Sequence, residues 1–413
     1  MTITTDLPDD LVDVLPPGRF RAGEQRAASI GKILKVIGRI DRVDEDLMEL
    51  IGRRFMVVDE LGGRLAEAIR SKGPAGSVSM KQFRQALASG VDSVPDAPPA
   101  LREFFEHLER TPDWVDMDLV NEGARVYRRL GRNASDVLLQ LALIGGYRFG
   151  GPTDLLVATG ALAGASSQRR LGETQKWGIA ISQHDAMRRD GQGWQLTVHV
   201  RLMHALVNSR FSDPGMWDSA YWGRPINASD QAATLGLFDG ALLLGARALG
   251  VRITKHESLA VMHLWKYIGW LIGVEDDWLV DTERERHRLN YHILLAQDEV
   301  TPAGQELSNS IVDAQRTLHF SGPFTRLQAL YARERLLSML RPFLGRKGLD
   351  DLDLPVRPPW ATALVMPKNI VKYWIVGRTA WGERYLQWSA RRNSDQLMRR
   401  YFGDDQPELA RLT

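Results

Sequence analysis

The strongest constraint on this chain is its hydrophobic period. From about residue 24 to residue 402 apolar side chains recur every three or four positions, and the strict alternation of a half-buried strand is scarce. Such a chain buries its apolar surface only by packing amphipathic helices on one another, so an all-α protein is predicted. Helices are read at 24–70, 99–108, 116–148, 153–163, 168–187, 196–210, 228–250, 255–273, 281–297, 303–318 and 323–345, with a last one from Pro367 to Phe402. Loops fall at Lys72–Gly76, at the proline-rich Asp92–Pro99, at Arg189–Gly193 and at Leu354–Pro359. Gly145–Pro152 is read as a helix break. It lacks the Gly-x-x-x-x-Gly-Lys-Ser/Thr phosphate cradle, and no strand precedes it. No internal repeat or linker composition divides the 413 residues. The expectation is one large helical body in three parts: an N-terminal helical arm with its connectors (1–115), a core (116–345) and a C-terminal basic-aromatic helix packed on it (346–413).

Composition removes several classes of chemistry. The chain has no cysteine, which excludes disulfides, thiolate nucleophiles, iron–sulfur clusters and zinc–thiolate sites. A net charge of +2 gives no field for nucleic acid. The most apolar runs, Val137–Gly146 and Leu235–Gly250, are short or interrupted by Asp239 and Arg247, and read as buried helices rather than membrane spans. Met1–Phe20 is polar and acidic, without the basic and apolar regions of a signal peptide, so a cytoplasmic protein is expected.

One stretch concentrates the chemistry. In Val198–Asn208, the residues Val200, Met203, His204 and Val207 share one helical face, with Arg201 one turn before the histidine. A buried neutral imidazole is costly unless both nitrogens are used. A metal on one nitrogen and an acceptor on the other would satisfy it, and so would a plain core hydrogen bond to a backbone carbonyl. Upstream, Arg170 and Thr174 lie four apart and can jointly meet an anion or a polarised oxygen; the alternative is a solvated Arg with Thr bonded back to its own helix. Downstream, Tyr221-Trp222-Gly223-Arg224-Pro225-Ile226-Asn227 reads as a turn into a helix capped by Asn227 or Ser229. No Glu-x-x-His occurs, which argues against a di-iron bundle.

Two further features stand out. Glu275-Asp276-Asp277 with Asp281 is an acidic cluster that reads either as a magnesium site or as a loop and an acidic first helical turn. Near the C-terminus Trp374, Trp381 and Trp388 are spaced seven apart, and Met366–Phe402 holds eight Lys/Arg against two acids. This stripe is expected to dock on the protein's own core with a snorkelling basic edge; peripheral contact with a membrane surface is the alternative.

Taken together, Arg170-x-x-x-Thr174, then Arg201-Leu202-Met203-His204-Ala205-Leu206-Val207, then Trp222-Gly223-x-Pro225-Ile226-Asn227, then Glu257 and His263-x-Trp265-x-x-Ile268-Gly269-x-x-x-Gly273-Val274 resemble the latex-clearing-protein and MpaB-type oxygenase family, over roughly residues 120–345. The resemblance implies an all-α fold with a globin-like core binding b-type haem. It implies His204 as the proximal iron ligand, Arg201 and Asn208 as neighbours of the haem, and Arg170 and Thr174 on the distal side near dioxygen. Rubber-cleaving members carry a lysine before the distal threonine; here that residue is Glu173. They carry a glutamate base upstream of the distal arginine; no Glu lies between Gly123 and Gly172, and Asp154 is the nearest carboxylate. An arginine commonly follows the proximal histidine by four residues; here it is Asn208. These departures point away from polyisoprene, toward a haem-dependent oxygenase acting with dioxygen on a smaller apolar substrate, unsaturated or isoprenoid-like. Three alternatives stand beside it: a magnesium-dependent enzyme of isoprenoid diphosphates, a non-catalytic haem-binding protein and a helical scaffold. For a second axial ligand the sequence offers Glu173, His184 and His199.

Overall fold

A computed structural model describes residues 8–71, 73, 76–160 and 165–403. Among the described residues there is no β-strand, as the period predicts. The helices that position the site are α1 (Glu45–Arg54), α2 (Glu60–Arg70), α3 (Pro99–Glu109), α4 (Met117–Leu130), α5 (Pro152–Ala158), α6 (Ala165–Ile181), α7 (Gln192–Phe211), α8 (Ala228–Gly236), α9 (Lys255–Ile272), α10 (Glu283–Leu295), α11 (Thr325–Asp351), α12 (Trp360–Asn369) and α13 (Ala380–Phe402). Their starts are written in the sequence. Asp44, Asp59 and Asn227 accept a hydrogen bond from a backbone N–H of the first turn, and Thr254 and Thr282 form reciprocal capping boxes with Glu257 and Glu285.

Packing follows from small residues at the crossings. Helix α4 lies along α9, and a Cβ on Gly123 would sit 2.2 Å from the Ala260 carbonyl oxygen, so only glycine permits this approach. Helix α7 rests between α2 and α9. Leu47, Phe83 and Phe104 from the first part of the chain, Val261 and Trp265 from the middle and Leu386 from α13 belong to one buried core, which the three parts therefore share.

The departures from simple periodicity matter more for function. The segment 116–148 is broken at Gly131 (φ +52°), beside the backbone of Ala390 in α13. It then winds as a wide π-helix over Leu138–Ile144. The segment 228–250 widens in the same way at Leu237–Ala241, and the two wide segments pack against each other. Near the C-terminus the single expected helix is three pieces: α12, a π-helical and 3-10 stretch from Ile370 to Arg378, and α13, whose N-cap is Thr379.

This break corrects the expected docking of the aromatic stripe. Helix α13 packs on the core through Gly382, Leu386, Ala390 and Tyr401. Trp381 and Trp388 point the other way and are 65% and 55% exposed, and Trp374, on the preceding stretch, is 51% exposed although its Nε1 donates to the Gly250 carbonyl (3.2 Å).

Candidate active site

Helix α7 places the histidine. Its residues Val200, Met203, His204 and Val207 all line one large cavity of about 880 Å³, within the range of a pocket for a cofactor or drug-sized ligand. The opposite face of α7, Trp194, Val198, Leu202 and Ala205, is buried in the core, so the helix cannot rotate the imidazole away from the cavity. The remaining wall is mainly apolar. The two wide segments contribute Leu138, Leu141 and Phe238, and Trp177 and Trp265 stand behind them. Phe238 stacks on Trp265 with centroids 5.0 Å apart, and both rings meet Trp177 edge-on or nearly so. Trp177 is fixed by a hydrogen bond from its Nε1 to Thr197 Oγ1 (3.0 Å) on α7.

His204 is one of several incompletely satisfied polar groups in this wall. Burial lowers its pKa to about 4, and the nearby Asp59 carboxylate offsets that only in part, so the ring is neutral near pH 7. Its Nδ1 is buried without a hydrogen-bond partner. The core-histidine alternative, a bond to a backbone carbonyl, is therefore absent among the described residues. The same ring also lines a smaller, more polar cavity of about 300 Å³, shared with Asp59, Glu67, Asn208 and Gln231.

Arg201 lies one turn before His204 but faces away from both cavities. Its guanidinium holds Asp59 by two hydrogen bonds (2.7 and 2.8 Å), and the pair is nearly enclosed. Gly273, with φ +91°, makes room for it: a Cβ there would lie 2.9 Å from Arg201 Nε. The Arg201 charge draws the Asp59 pKa below the usual carboxylate range although burial alone would raise it. Asn208 borders the small cavity. Its Nδ2 donates to the Ile226 carbonyl (3.0 Å) and its Oδ1 is buried without a partner. Arg170, Glu173 and Thr174 on α6 line the large cavity with His199. Thr174 Oγ1 donates back to the Arg170 carbonyl (3.1 Å), whereas the Arg170 guanidinium has no hydrogen-bond or ion partner among the described residues.

A family model described as ER-bound oxygenase mpaB/B′/Rubber oxygenase, catalytic domain, matches residues 134–373, more than half of the chain. The chain belongs to this oxygenase family. The rubber oxygenase of Streptomyces sp. (strain K30) is 24% identical to it over 357 residues, 78% of this chain and 84% of that protein. The structure of latex clearing protein LCP in the closed state shares its fold, with a TM-score of 0.63 at 20% identity over 84% of this chain and 91% of that one.

Within the MpaB/rubber-oxygenase fold, three expected site residues of this chain lie outside the large cavity's lining: Arg201, which holds Asp59, Asn208, which borders the small cavity, and Asp154. Asp154 Oδ2 accepts from the Gly151 N–H and from Thr301 Oγ1 (both 3.0 Å), capping α5. The acidic cluster is also engaged. Arg54 holds Glu275 and Asp277 (2.9 and 2.7 Å), and Lys266 holds Asp281 (2.6 Å). Among the described residues no group of three or more His and acidic side chains is arranged to hold a metal ion, which removes the geometric basis of the magnesium reading. His184 is exposed and pairs with Asp185, away from the cavity.

The sequence reading overlooked a polar pole. Arg19, fully buried, donates to Asp230 Oδ2 (2.5 Å), to Gln297 Oε1 (3.1 Å) and to the Trp222 carbonyl (2.7 Å). Asp230, Gln231 and Gln297 line the large cavity, and each keeps one buried polar atom without a partner. Asp230 could have been singled out from its place three residues after the Asn227 cap. Nothing local marks Arg19, which reaches the pole across 211 positions of sequence.

Proposed function

We propose that this chain is a haem-dependent oxygenase, in which His204 would hold the iron, acting with dioxygen on an apolar substrate of isoprenoid-like, unsaturated character. The observation that carries the reading is the neutral imidazole of His204, one nitrogen without a partner, in the wall of a large and mainly apolar cavity. A haem needs such an apolar slot and an imidazole ligand, and the absence of cysteine leaves histidine as the natural donor. A bound haem would supply the activation of dioxygen. The substrate class rests on the relative named rubber oxygenase and on the apolar wall. The departures from the rubber-cleaving pattern, at Glu173 and in the missing glutamate upstream of Arg170, keep the reading apart from polyisoprene itself.

The residues of the chain then have separable tasks. The Trp177, Phe238 and Trp265 rings exclude water from the pocket and hold α6, α7 and α9 at fixed distances. The Asp59–Arg201 pair fixes the turn of α7 that presents His204. Arg170, solvent-exposed at the edge of the cavity, would stabilise negative charge that develops on oxygen there, and Thr174, its hydroxyl donated back to the Arg170 carbonyl, lies beside it. The test is an absorption spectrum of protein expressed with iron and haem precursor, before and after dithionite and carbon monoxide. A Soret band is expected, with loss of the band in His204→Ala at unchanged helical content. No band after added haem, or full haem retention in His204→Ala, would overturn the assignment. Arg170→Ala is expected to keep the band and to slow oxygen-dependent turnover; unchanged turnover removes Arg170 from the site.

A further inference from the structure

We infer that the outward face of α12, α13 and the stretch between them is a docking surface for an anionic lipid bilayer. The large exposed apolar side chains crowd here: Leu364, Val371, Trp374, Ile375, Trp381 and Trp388 are each more than half exposed. Trp381, Tyr385 and Trp388 form an uncovered ladder at helical spacing, with successive centroids 5.8 and 6.0 Å apart. Fixed aromatic rings left facing solvent are the composition of a membrane-interface belt.

Charge selects the occupant. Residues 364–392 hold six Lys/Arg and one acid, and the acid, Glu383, is turned inward to Arg125 and Arg129. Arg378, Arg384, Arg391 and Arg392 remain exposed around the ladder, with Arg392 5.7 Å from the Trp388 ring. Further along, Asp395 is the next carboxylate. Aromatic rings ringed by cations match headgroups and the glycerol region of a negatively charged leaflet. Among the described residues no helix is long and apolar enough to cross a membrane, so the face would lie on the bilayer rather than pass through it. The same helix also reaches the large cavity through Asn393, Leu397 and Arg400. A bilayer under α13 therefore brings a store of dissolved hydrocarbon to the edge of the pocket. The inference stands on the surface alone and does not require a haem.

The test is co-sedimentation of the full chain with vesicles of phosphatidylcholine, alone or with one third phosphatidylserine, together with tryptophan emission. Binding is expected to the anionic vesicles, to weaken with salt, and to shift emission to shorter wavelength. Replacing Trp381, Tyr385 and Trp388 together by Ser is expected to weaken binding at least tenfold at unchanged circular dichroism. The milder set Arg378→Gln, Arg384→Gln, Arg391→Gln and Arg392→Gln is expected to remove the preference for anionic lipid. Wild-type protein left in the supernatant with both vesicles would overturn the inference, as would undiminished binding by both variants. A dimer in sedimentation velocity that the Ser variant dissolves, without vesicle binding, would assign the face to a second copy instead.

Discussion

At the scale of single residues, most of the buried charges of the molecule are paired, and the pairs decide how it responds to pH. Glu283, at the start of α10, is the clearest case. Burial works to raise its pKa, but the neighbouring His287 ring (3.8 Å) and hydrogen bonds from the Arg247 guanidinium and the Ser258 hydroxyl hold it at about 2, against an ordinary value of 4.5. A carboxylate depressed on folding contributes stability that is complete above the ordinary value and disappears as the pH falls toward the folded one. Glu283→Gln is therefore expected to lower stability at pH 7 by at most about 3 kcal/mol and to match the wild type near pH 2. Urea midpoints across that interval check it, and a difference that persists at pH 2 would assign the loss to packing. Asp59 shows the same economy, since one carboxylate caps α2 and neutralises Arg201.

At the scale of elements, propensity and packing compete at Gly123. On an exposed helix Ala would be better than Gly by about 1 kcal/mol. Here the added methyl would meet a backbone carbonyl at 2.2 Å, which cannot rotate aside. Overpacking of this kind costs typically about 1–3 kcal/mol, so Gly123→Ala is expected to lower Tm; a rise would show that α4 and α9 can separate. The same contrast explains what the sequence disclosed. Helix α7 and its His204 face were legible because four residues within two turns keep a strict period, and the Asn227 and Thr254 starts because caps are local. The wide turns at Leu138–Ile144 and Leu237–Ala241 were not, because one extra residue per turn leaves the apolar count unchanged. The outward aim of Trp381 and Trp388 was hidden for another reason. Spacing groups side chains on a face without telling which face the core will take, and here Leu386 and Ala390 won it. The engagement of Asp154 at the start of α5 was equally hidden, because its N-cap is a glycine with no side chain to do the capping.

At the scale of the whole molecule, the large cavity is a liability until it is filled. Apolar walls facing open space lose the contacts that close packing would give, so a ligand that completes them stabilises the folded state. On the proposed reading, haem present at a hundredfold above its dissociation constant adds about 2.7 kcal/mol, measurable as a rise in Tm that His204→Ala abolishes. An equal rise in the variant would mean that haem is held without that ligand. The two cavities on either side of His204 carry a further consequence. His204, Ile226 and Gln231 line both, and form the wall between a mainly apolar chamber and a polar one that holds Asp59 and Glu67. The electrical setting of the apolar chamber is thus adjusted from next door, by groups that its occupant never touches.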